Sequence, residues 1–242
     1  MCETGPPALV ISPHLDDAVF SCGAWLAACP GCVVVTVLAG LPPATMAAPP
    51  WDAGAGFASA RAAVLARREE DRSALAMLRA TPLWLDFLDG QYGVPSAPAG
   101  LAQAVSEVVA AHPDVPVLAP AGVFHRDHLL VHAACAQAWA GSRERAWLFY
   151  EDAIHRRTPG QLQRQLMNWH AAGLAATPQT PLREPSHAAR KARAVAAYAS
   201  QLPLFGSAQL ADLSAPERYW RWLAPDGAQP RLSRPRQHSA AR

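Results

Sequence analysis

The sequence predicts an α/β fold, a Rossmann-like and mostly parallel sheet with helices on both faces. Two observations carry this reading. Short β-branched runs alternate with longer Ala-rich stretches of helical period along most of the chain. The residues able to do chemistry fall directly after two of the apolar runs, where parallel sheets place their ligands. A length of 242 residues suits one such domain, and a 51% hydrophobic content supplies its core.

The elements follow in order. "ALVIS" (8–12) reads as a buried strand and "DDAVFSCGAWLAA" (16–28) as a helix. "CVVVTVLAG" (32–40) is the clearest strand in the chain. A loop rich in Pro, Ala and Gly (41–56) precedes a long amphipathic helix (57–79), with Val64, Leu65, Leu75 and Leu78 apolar. "PLWLDF", "VPVLAP" and "RAWLFYED" supply three further strands. "GLAQAVSEVVAAH" and "HRDHLLVHAACAQAWA" supply the helices between them. After Asp152 the pattern is mostly helical with Pro breaks, and the expected domain spans 1–224. The Pro- and Arg-rich end, 225–242, reads as a flexible tail.

Composition excludes several classes. A net charge of +2 is no footprint for nucleic acid or an anionic membrane. No stretch has the apolar length of a membrane span, and the N-terminus lacks the basic and apolar regions of a signal peptide. The 5 cysteines form no disulfide framework, which fits a reducing cytoplasm as the expected location. Ala-rich helices could also present a dimer face, so a homo-oligomer stays an open expectation.

"SPHLDD" ends the first strand and "AGVFHRDH" the fourth, so both motifs open onto one edge of the sheet. They bring His14, Asp16 and Asp17 towards His125, Asp127 and His128. Histidine nitrogens with a carboxylate suit a divalent metal such as zinc, and the same donor set accepts ferrous iron. Of two adjacent aspartates, one can bind the metal while its neighbour takes a proton from water. The bland alternative makes Asp16, Asp17 and Asp127 helix caps.

"SPHLDDAVFSCG" and "FHRDHLLVH" together resemble the signatures of the PIG-L/LmbE-like N-deacetylases. Leu15 stands where that family usually has Pro, and Ala18 where Glu is commonest. "RREEDRSALAML" (67–78) resembles a family helix, with Arg79 replacing its closing Gly. "LDFLDGQY", "FYED" and "KARAVAAYASQ" extend the likeness to nearly the whole chain. The resemblance implies an LmbE-like fold and removal of an N-acetyl or other N-acyl group from an amino-sugar conjugate. It implies that His14, Asp17 and His128 bind zinc and that Asp16 is the general base. It gives His125 the oxyanion or the leaving amine, and Asp127 the orientation of a histidine. Where some relatives carry a tyrosine, two residues before the first histidine of the second motif, this chain has Val123. Arg67, Arg68 and Asp89 are candidates for gripping the sugar, against ordinary helix and turn ion pairs.

Other signals carry less. His128 and His132 have zincin spacing, but Leu129 stands where that motif needs Glu. His132 then reads as a core or supporting histidine, with a ligand role as its rival. "CPGC" (29–32) precedes a strand, so it reads as a turn. "HPDV" (112–115) lies at the wrong end of its strand, and no glycine-rich phosphate loop follows the first strand. Trp84, Trp139 and Trp147 read as core, and Trp220 and Trp222 as packing for a C-terminal helix, with the lining of a sugar site as the rival reading. Two other functions remain as alternatives: hydrolysis of another ester or amide, and catalytically silent carbohydrate binding.

Overall fold

The computed structural model describes residues 6–93, 97–179 and 184–223; the expected tail at 225–242 lies outside them. Seven strands form one sheet in the order β3-β2-β1-β4-β5-β7-β6. They are β1 (Leu9–Ser12), β2 (Val33–Thr36), β3 (Thr81–Trp84), β4 (Val117–Pro120), β5 (Trp147–Tyr150), β6 (Ala175–Gln179) and β7 (Tyr219–Leu223). The first five pair in parallel. Connections run outward in opposite directions from β1 and β4, so the switch point of the sheet lies between these two strands.

Strand periodicity divides the core. Val10, Val34, Leu118, Leu148 and Tyr150 pack on one face beneath α1 (Asp17–Ala28), α3 (Ala60–Leu78) and α7 (Pro185–Val195). Leu9, Ile11, Val35, Val117, Ala119, Trp147 and Phe149 pack on the other, beneath α4 (Pro98–Ala111), α5 (Arg126–Ala140) and α6 (Gln161–Ala171). Alternate residues of a strand point to opposite faces, so both faces of the sheet are covered. At Gly23 a Cβ would lie 2.6 Å from Lys191 Cγ, so the close approach of α7 to α1 there requires glycine.

The C-terminal region departs from the mostly helical reading. β6 and β7 pair antiparallel and extend the sheet beyond β5. "YWRWL" is therefore a strand, not part of a helix: Tyr219 packs into one core and Trp222 into the other. Trp222 stacks on Phe149 with ring centroids 3.8 Å apart. A short helix, α2 (Pro50–Gly54), also interrupts the expected loop before α3, while α8 (Ser207–Leu213) lies just before β7.

Arg79 explains one departure from the family pattern. It ends α3 in the left-handed region, at φ 57°, where the family's glycine would be unstrained. Its amide and that of Ala80 still donate to Ala76 and Leu75 carbonyls, closing the helix. Among the described residues no helix is long and apolar enough to cross a membrane.

Candidate active site

The ends of β1, β4 and β5 meet at the switch point, and a cavity of about 320 Å³ opens there. His14, Asp16, Asp17, His125 and His128 line it, with Arg67 and Asp89 also in its wall.

The local sequence frees the first aspartates from structural duty. Ser12 supplies the hydrogen bond that a capping aspartate would make: its hydroxyl accepts from Ala18 N–H at 3.0 Å and donates to the His14 carbonyl at 2.7 Å. Asp16 occupies the N-cap position of α1 but makes no capping hydrogen bond. At α5 the cap is His125, whose Nδ1 accepts from Asp127 N–H at 3.3 Å. Asp127 instead turns towards His14. The cap reading of these aspartates thus yields to other partners.

Asp17 Oδ2 lies 3.2 Å from both His14 Nδ1 and His128 Nε2. It also accepts from His14 N–H at 2.9 Å. Each imidazole meets a second carboxylate through its other nitrogen. His14 Nε2 lies 3.1 Å from Asp127 Oδ2, and His128 Nδ1 lies 2.7 Å from Asp152 Oδ1. Asp127 Oδ2 is held in turn by Gly90 N–H at 3.0 Å. A Cβ on Gly90 would sit 2.7 Å from Asp127 Oδ1, so only glycine allows that approach.

The residues fit a divalent cation. His14, Asp17 and His128 can each offer one ligand atom within 4.8 Å of the others. His128 Nε2 is buried and makes no hydrogen bond, although it faces Asp17. A second grouping, His14 with His125 and Asp127, meets the same distance criterion. The first grouping alone includes a buried nitrogen with no hydrogen bond, His128 Nε2, so it is the better cradle.

Charge tells the same story. Burial opposes the imidazolium form of His14, but Asp89, Asp127 and Asp17 outweigh it and hold the pKa well above the usual value. His128 is also disfavoured as a cation by burial, yet Asp17 and Asp152 raise it to about 9. Without a metal, protons on the two imidazoles therefore offset the surrounding carboxylates Asp17, Asp89, Asp127 and Asp152. A divalent ion would replace two such charges with its own, releasing protons as it binds. Asp17 is held well below the usual range because His128 and His14 overcome the effect of burial.

Asp16 behaves in the opposite way. Burial, then the adjacent Asp17 charge, raises it to about 7 against the pull of His14, Arg67 and His128. A carboxyl group poised near neutrality in a cavity suits proton transfer. Burial and neighbouring positive charge lower His125, so it is neutral at pH about 7. With Nδ1 accepting from Asp127 N–H, its proton resides on Nε2.

The substrate candidates separate. Arg67 is buried in the cavity wall, with Nη2 2.7 Å from Asp52 Oδ1 and Nη1 donating to Tyr92 Oη at 3.3 Å. Asp89 lines the cavity and accepts from Gln91 N–H and Gln91 Nε2, each at 2.9 Å. Arg68 is outside the lining: it donates to the Ala39 carbonyl and packs over Trp84, tying α3 to the β2 loop. His132 is fully engaged, with Nδ1 on the Pro120 carbonyl at 2.8 Å and Nε2 accepting from Trp169 at 3.1 Å, so it has no nitrogen left for a metal.

Sequence reasoning missed Asp152, His155 and Trp51 as site residues. "FYED" drew attention to the end of the fifth strand, but no spacing marked Asp152 as a partner of His128. His155 lines the cavity, its ring 4.6 Å from that of His128, and burial followed by the His128 charge depresses it to about 3. Trp51, on α2, forms another wall and donates through Nε1 to Gln201 Oε1 at 3.0 Å.

Comparisons with known proteins bear on the family and the fold. The family model described as GlcNAc-PI de-N-acetylase (PIG-L) matches residues 9–139. The A40926 pseudoaglycone deacetylase Dbv21 is 29% identical at a TM-score of 0.70, covering 90% of this chain and 97% of its own. The zinc-inhibited form of the teicoplanin deacetylase Orf2 is 24% identical at a TM-score of 0.75, with 90% and 98% covered. The hydratase GalB from Pseudomonas putida KT2440 is 18% identical at a TM-score of 0.56, with 91% and 97% covered. The last two likenesses concern the fold alone, and a hydratase on that fold means the site must decide the chemistry. No curated protein matches the sequence. The matched segment is more than half of the chain and contains both histidine–aspartate motifs, so the chain belongs to the GlcNAc-PI de-N-acetylase (PIG-L) family of N-deacetylases.

Proposed function

We propose that the protein hydrolyses the N-acyl amide of an amino-sugar conjugate, with zinc held by His14, Asp17 and His128. The observation that carries this reading is the orientation of the two ligand histidines. Each turns one nitrogen to Asp17 and the other to a supporting carboxylate, beside an Asp16 with no capping bond. The family description, GlcNAc-PI de-N-acetylase, and the naming of Dbv21 as an A40926 pseudoaglycone deacetylase support an N-acylated amino-sugar conjugate as substrate. Ferrous iron would fit the same donor set.

When bound, the metal supplies a Lewis acid for the acyl carbonyl and lowers the pKa of water to about 7. Asp16 takes the proton of the attacking water. The neutral His125, with its proton on Nε2, is a donor for the oxyanion that forms. Asp16, now protonated, returns the proton to the leaving nitrogen, and a carboxylate and a free amine depart. Asp127 keeps His14 in orientation through its Nε2. Arg67 and Asp89, both in the cavity wall, would bind sugar hydroxyls. A silent binding protein would gain nothing from a buried carboxyl group that caps no helix.

The pH dependence tests the role of Asp16. A general base must be ionised, so kcat/KM should fall about tenfold per pH unit below its pKa. The limb should lie at or below about 7, the level to which burial and the Asp17 charge raise Asp16 in the metal-free chain, because a neighbouring cation favours the carboxylate. The measurement is acetate release from a panel of N-acetylated amino sugars across pH. A profile flat down to about pH 4, the ordinary carboxylate value, would contradict an ionising Asp16.

A further inference from the structure

We propose that Asp152 is a positioning residue for the metal, fixing the His128 imidazole with its Nε2 lone pair towards the cation. The inference rests on the zinc-site reading above. Asp152 lies outside residues 9–139, the stretch matched by the family model, and belongs to neither histidine–aspartate motif.

Its side chain is fully buried. Oδ1 lies 2.7 Å from His128 Nδ1, and Oδ2 accepts from Val123 N–H at 2.9 Å. An ionised carboxylate is an acceptor only, so both contacts require a hydrogen on the nitrogen. With a metal on Nε2, the proton that His128 keeps is therefore the one on Nδ1. A buried carboxylate is costly unless paired, and among the described residues its ion-pair partner is His128.

The segment carrying Asp152 is fixed from several sides. Ala153 N–H donates to Ser21 Oγ at 3.0 Å, on α1. Ile154 N–H and Arg156 Nε donate to Asp212 Oδ2 at 2.8 and 2.9 Å, on α8. Ile154 has a φ of 64°, a strained conformation for a β-branched residue that Asp212 holds in place. Asp152 is thus a fixed reference for the imidazole, and the ends of β4 and β5 are joined through it to the first turn of α5.

Asp152→Asn tests the inference. The amide keeps the shape but brings an NH₂ that must face either Val123 N–H or His128. Facing His128, it favours the tautomer protonated on Nε2, which cannot bind a metal. Competition with a chromophoric chelator should find zinc affinity of the folded variant weakened about 10–100-fold. In zinc-loaded wild type, nitrogen–proton NMR of the histidine rings should place a proton on Nδ1 of His128, assigned by its loss in His128→Gln. Affinity within about twofold of wild type would overturn the proposal. Should the variant fail to fold, the wild-type spectrum decides, and a His128 ring bare at Nδ1 overturns it. A wild-type protein that takes up no zinc would overturn the underlying reading as well, and so is distinct from an Asp152-specific failure.

Discussion

Asp16→Asn should reduce acetate release by about 10²–10⁴-fold while leaving the fold and bound metal in place. The specificity of that loss follows from what Asp16 does not do. It makes no capping hydrogen bond, and Ser12 supplies the bond to Ala18 N–H instead. Burial raises its pKa to about 7, so near neutral pH the folded, metal-free chain holds a proton that the unfolded chain has released. Stability from that linkage is lost as pH rises from the ordinary carboxylate value towards 7. A neutral amide removes this penalty, and the Tm of the metal-free variant should not fall at neutral pH. Acetate assays beside thermal unfolding check both halves. Activity within about tenfold of wild type would remove Asp16 from the role of base.

Loss of His128 should be equally severe but of a different kind. The ring is buried between Asp17 and Asp152, and its Nε2 makes no hydrogen bond. His128→Ala would strand Asp152, at a cost of about 3–5 kcal/mol for a buried charge without its partner. His128→Gln retains an N–H donor and is the better probe. Metal analysis should find about one ion per wild-type chain and nearly none in the folded variant. Deacetylation should vanish with the metal. Equal metal content in the two proteins would mean that His128 is structural and that the cation sits elsewhere.

Much of this was legible because the relevant signals are local. The alternation of β-branched runs with Ala-rich helices pointed to the five parallel strands, though the structure shortens each to 4 residues. The clearest, expected at 32–40, is Val33–Thr36. Chemistry after β1 and β4 followed from the position of "HLDD" and "HRDH" at strand ends. What escaped depends on residues distant in sequence. β6 and β7 are short strands whose pairing brings 175–179 against 219–223, and aromatic Trp222 gave no periodic cue before Phe149 was its neighbour. Asp152 meets His128 across the ends of two strands. Ser12 gave no sign that it would replace the aspartates as the helix cap. Arg67 and Arg68 are adjacent on one helix, and only the fold sends the first to the cavity and the second to the Ala39 carbonyl.

The most direct test of the central claim is acetate release from an N-acetylated amino sugar before chelation, after it, and after zinc is returned. The expected result is activity that disappears on chelation and returns with the metal, while circular dichroism stays unchanged. Acetate release that survives complete metal removal would contradict a metal-dependent deacetylase at His14, Asp17 and His128.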